Sequence, residues 1–174
     1  MSAALAIRPD TTEYAPYYEK YVSLVPETNI TSVLESQLEG TLNLIRGLSD
    51  EQAMHRYAPD KWTIKQVIGH IIDGERIFAY RALRFSRNDK QKLPGFDQDE
   101  FMEYADFDAR SIADLAEEFE HARRANILMF KSFGEEVWSR RGTASEAEVS
   151  VRGLAYIMAG HERHHVHILK DRYL

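Results

Sequence analysis

The chain has 174 residues, 44% of them hydrophobic and 29% charged, and 28 acidic against 22 basic side chains leave it at −6. That length suits one domain with a sizeable core, and an acidic balance with scattered Lys and Arg argues against nucleic acid as a partner. Cysteine is absent, so disulfides and thiolate-held metals are excluded and any metal must sit on nitrogen and oxygen ligands.

Residues 1–29 carry Pro9, Pro16, Pro26 and the tyrosines Tyr14, Tyr17, Tyr18 and Tyr21. They predict an irregular aromatic arm packed on the main body, with room for a short helix around Tyr14 to Val22. Thr28, Asn29 and Thr31 then offer caps for a first long helix that ends at Gly47, with Val33, Leu34, Leu38, Leu42 and Ile45 at helical spacing. Thr63 caps a second, running to about Arg87 with the stripe Ile64, Val67, Ile68, Ile71, Phe78, Ala82 and Phe85. Residues 88–108 read as a long connection with a short helix at Asp99 to Tyr104. Its length marks it as a lid or a source of substrate contacts, with Arg87, Lys90 and Lys92 as anion partners, against the plainer reading of a solvated loop.

A third helix starts at the Asp108 to Ser111 caps and ends near Gly134. A second connection precedes the fourth helix, Val151 to about Arg172. No alternating strand pattern stands out. The expectation is an all-α four-helix bundle over residues 30–174, preceded by the arm at 1–29. No apolar run approaches the ~18 residues that cross a bilayer, and no charged-then-apolar leader opens the chain, so the expected location is cytoplasmic, away from membranes.

The fourth helix holds the chemistry. It contains His161, His164, His165 and His167, four of the seven histidines in the chain. His161 and His165 stand one turn apart on a single face, where two imidazoles can share one ion. Burying both without a metal would cost desolvation that a metal offsets. His70 on the second helix is the candidate third ligand, and His164 a fourth ligand or a support for the others. His55, His121 and His167 have packing or surface readings. Glu75 interrupts the second helix's apolar stripe, so it needs a partner: Arg81, Arg123, Arg124, or a metal-bound imidazole. Asp73 is a second carboxylate on the His70 side.

His161-Glu162-Arg163-His164-His165 also fits the H-E-x-x-H pattern of zinc peptidases, in which Glu162 would be the general base. That reading wants a third ligand downstream. Only nine residues follow His165, Asp171 faces away, and no edge strand is evident for a peptide substrate. Glu162 is then a bystander or a residue that steadies a ligand.

Lys61-Trp62-Thr63-Ile64-Lys65-Gln66-Val67-Ile68-Gly69-His70 with Glu75-Arg76-Ile77-Phe78, then Leu93-Pro94-Gly95-Phe96-Asp97-Gln98-Asp99, then Gly160-His161-Glu162-Arg163-His164-His165 together resemble the DinB/YfiT-like superfamily. The resemblance covers about residues 30 to 172. It implies an up-down-down-up-type four-helix bundle and a divalent metal, commonly nickel or zinc, on His70, His161 and His165. It also implies frequent homodimers, and activities that include low-molecular-weight-thiol transferases and isomerases besides hydrolases. The leading expectation is therefore a metal-dependent hydrolase or thiol S-transferase acting on a small molecule. Its rivals are a stress-associated module with a structural ion, and a protein whose histidines carry no metal.

Overall fold

The computed structural model describes residues 7–174. Four long helices form the body: α2 (Ile30–Arg46), α3 (Ile64–Ser86), α5 (Ile112–Lys131) and α6 (Val151–Ile168). Two short ones, α1 (Glu19–Val22) and α4 (Gln98–Tyr104), lie in the arm and in the 88–108 connection. Each long helix begins where a side chain can take an orphaned backbone N–H. Asn29 accepts from Ser32, Ser111 from Asp114, and Ser150 from Gly153, while Thr63 and Gln66 form a reciprocal capping box.

Round the bundle the packed neighbours run α2, α5, α3, α6 and back to α2. The pairs α2–α3 and α5–α6 therefore sit across the bundle from one another, while α3 and α5 pack side by side. Leu34, Leu42 and Phe85 of the predicted stripes are almost wholly enclosed in the core, as are Phe119 and Phe130 of α5 and Tyr156 of α6, whereas Leu128 of α5 faces outward.

At the centre Arg123 of α5 is fully buried and ion-paired to both Glu75 of α3 and Glu162 of α6. Asn126 also donates to Glu75, and the Thr41 hydroxyl of α2 donates to Glu162 at 2.6 Å. One polar cluster thus ties all four long helices together. Burial raises the Glu162 carboxyl, against the pull of Arg123.

Three features differ from the sequence expectation. The connection before α6 contains a β-hairpin, β1 (Arg141–Ala144) paired antiparallel with β2 (Ala147–Ser150). Four-residue strands are too short to show a period of two, and the turn uses Ser145 and Glu146 at φ 52° and 60° rather than Asn-Gly. Leu93 bridges to Ala144, so the 88–108 connection is tied to this hairpin instead of running free. The end of the last helix widens into a π-helical turn over Leu169–Tyr173.

The arm does pack through its aromatics, and it reaches the core. Tyr14, Tyr21, Val22 and Val25 are buried, and α1 lies against α6. Glu13 accepts from Ser150 and Arg152, and the Tyr156 hydroxyl donates to the carbonyls of Glu27 and Thr28. Gly160 permits this approach: a Cβ there would lie 2.1 Å from the Tyr21 carbonyl oxygen.

Candidate metal centre

α3 and α6 are packed side by side, and they bring His70, His161 and His165 together. Each offers a ring nitrogen, and the three nitrogens lie within 4.8 Å of one another. The Nε2 atoms of His70 and His161 are 2.9 Å apart, and ring centroids within the trio are separated by 4.6 to 4.7 Å. His165 Nε2 is buried with no hydrogen-bond partner. An orphaned buried acceptor is costly unless something outside the protein satisfies it.

Burial is the first cause of depressed basicity at each ring. His70 is lowered to about 4 and His165 to about 2, while His161 falls well below the ordinary histidine value. The partly buried His164 is also lowered, again chiefly by burial. All are neutral near pH 7, the form in which imidazole ligates metals. Two nitrogens about 2.0–2.1 Å from one ion lie roughly 3 Å apart, so the His70–His161 spacing is close to that of ligands sharing a cation. A set of neutral nitrogens, one of them orphaned, suits a transition-metal ion better than the oxygen-seeking magnesium or calcium.

The other candidates go elsewhere. Glu75 and Glu162 spend their oxygens on Arg123, Asn126 and Thr41, and neither hydrogen-bonds a histidine. Asp73 is partly exposed beside Glu100 and Phe101, with its carboxyl raised by burial. His164 lies outside the nitrogen trio, with its ring edge-on to Tyr21 and His165. Arg87, Lys90 and Lys92 do not line the cleft at the histidines.

Several residues that shape the site carry no signature of their own. Tyr21 and Phe78 pack edge-on to His161, and Trp62 packs on His70. Gly74 leaves room for the His161 ring, since a Cβ there would come 2.9 Å from His161 Cε1. A glycine one turn after His70 in a helix interior is the one sequence signal for that approach. His70 and His161 open onto a cleft of about 450 Å³ that Tyr17, Tyr18, Tyr21, Phe96, Asp99 and Ser145 help to line.

The DinB superfamily profile matches residues 34–169. YfiT from Bacillus subtilis, described as "a probable metal-dependent hydrolase with an unusual four-helix bundle topology", superposes with a TM-score of 0.68 at 13% identity. That match covers 94% of this chain and 90% of YfiT. A mycothiol-dependent maleylpyruvate isomerase superposes with a TM-score of 0.66 at 12% identity over 83% of this chain, which spans only 61% of the isomerase. At such identities these likenesses speak for the fold. A comparison with curated proteins finds no match.

Proposed function

This chain belongs to the DinB superfamily, and from that premise we propose that it is a metal-dependent enzyme whose zinc or nickel ion is held by His70, His161 and His165. The observation that carries the reading is the convergence of three neutral ring nitrogens from two helices beside an open cleft. A bound ion supplies Lewis-acid chemistry, drawing electron density from a water, thiol or carbonyl and lowering the pKa of a ligand proton.

The chain's own residues do the holding and the shielding. Tyr21, Phe78 and Trp62 limit the rotation of the ligand rings and keep bulk water from their flanks. The Arg123 cluster pins α3 to α6 through residues adjacent to the ligands, Glu162 beside His161 and Glu75 beside Gly74. His164 lies outside the trio, so an ion held by His70, His161 and His165 alone would leave room for a small molecule from the cleft, and that favours a reacting ion over a structural one.

What YfiT and the isomerase are described as doing supplies two chemistries to try: hydrolysis, and transfer that uses a low-molecular-weight thiol. This chain has no cysteine, so any thiol must be a co-substrate. The test is a screen of metal-loaded protein against an ester panel and against electrophiles with added thiols. Turnover in one arm is expected, lost with a chelator and in His161→Ala while the helical circular dichroism persists. A folded, metal-loaded protein inert in both arms would overturn the enzymatic reading.

A further inference from the structure

Arg81 is a second buried arginine, and its surroundings are unlike those of Arg123. It is 3% exposed, yet among the described residues no carboxylate pairs with it. A buried guanidinium without a counter-charge is costly to keep. Its Nη2 donates to the Pro94 carbonyl and to Ser145 Oγ, both at 3.0 Å, and these neutral acceptors leave its charge uncompensated.

Arg81 lines a groove of about 360 Å³ next to the histidine cleft. That volume is at the small end of ligand-binding cavities, which run from about 300 to 1,000 Å³. The remaining walls are apolar or already matched. Ile77, Leu93, Phe96 and Phe101 supply hydrocarbon, and Arg76 at the rim is ion-paired with Glu118. The unpaired charge is thus a single cation in a mainly apolar setting.

The residue that positions Arg81 is one of the two turn residues of the β1–β2 hairpin. Ser145 and Glu146 both hold left-handed backbone without being glycine, at φ 52° and 60°. A two-residue hairpin turn requires that conformation at both positions. Here the turn delivers the Ser145 hydroxyl to Arg81 from the hairpin while Pro94 delivers its carbonyl from the other connection.

We propose that this groove binds a small amphiphilic monocarboxylate, its carboxylate on the Arg81 guanidinium and its apolar body against Ile77, Leu93, Phe96 and Phe101. One guanidinium with hydrocarbon walls matches a singly charged carboxylate; a phosphate dianion would call for further cations. Phe96 lines both cavities, so a ligand anchored on Arg81 lies beside the histidine cleft. The site needs no metal, and the two readings stand or fall separately.

The test is calorimetric titration of the full chain with 4-phenylbutyrate and its uncharged analogue 4-phenylbutyramide, repeated on His161→Ala to remove the metal as an alternative anchor. The acid is expected to bind both proteins alike and at least tenfold more tightly than the amide. In Arg81→Met, which keeps the hydrocarbon stem, that preference is expected to vanish. Equal affinity for acid and amide in the unsubstituted protein would overturn the proposal, and needs no variant to fold. So would undiminished acid binding by Arg81→Met, acid binding lost in His161→Ala, or tighter binding of inorganic phosphate than of phenylbutyrate.

Discussion

His161 touches His70 through ring nitrogens 2.9 Å apart, lies against Tyr21 and Phe78, and occupies the space a side chain at residue 74 would need. Gly74→Ala should therefore weaken metal binding by at least tenfold with little loss of helix, because the flexible part of the conflict is the ligand ring itself. Competition with a chromophoric chelator reads this, and unchanged affinity would contradict the packing. The titration of the trio has a definite sign. Each folded-state pKa lies below the unfolded value of about 6.5, so the neutral rings contribute their full stability above that pH. As pH falls from about 6.5 toward 4, the unfolded chain takes up protons that the folded one refuses. Metal-free protein should lose stability across that window by up to about 1.4 kcal/mol per pH unit for each buried histidine. Urea midpoints that stay level from pH 7 to 5 would show the rings to be accessible.

At the scale of elements, α3, α5 and α6 meet at Arg123, whose guanidinium holds two carboxylates in the buried core. Arg123→Met should cost about 3–5 kcal/mol, since it strands Glu75 and Glu162. Adding Glu75→Gln and Glu162→Gln should recover much of that loss, which thermal denaturation of the single and triple variants would show. A single variant as stable as the parent would mean the cluster is dispensable. The arm depends on a different contact. Gly160→Ala places a methyl into the Tyr21 backbone, and overpacking of that kind costs about 1–3 kcal/mol. Proteolytic cleavage within residues 7–29 should become faster, and an unchanged cleavage rate would count against the docking.

Over the whole molecule, the parts read from sequence are those with a periodic or capped signature. The stripes and caps of the long helices, the short helix near Asp99 and the His161–His165 pair all had local signals. Glu75 was legible only as a carboxylate in need of a partner. Choosing Arg123 over Arg81 and Arg124 required the α3–α5 packing. The Ser145-Glu146 hairpin was hidden by its length and its turn residues, and the docking of Tyr21 on His161 joins segments 140 residues apart. Among the described residues no helix is long and apolar enough to cross a membrane. The central claim is that α3 and α6 jointly hold one ion. Elemental mass spectrometry of tag-free protein is its most direct test, comparing the parent chain with His70→Ala, His161→Ala and His165→Ala. The account predicts close to one zinc or nickel per chain in the parent and loss of it in each variant. An empty parent, or occupancy that survives the substitutions, would contradict it.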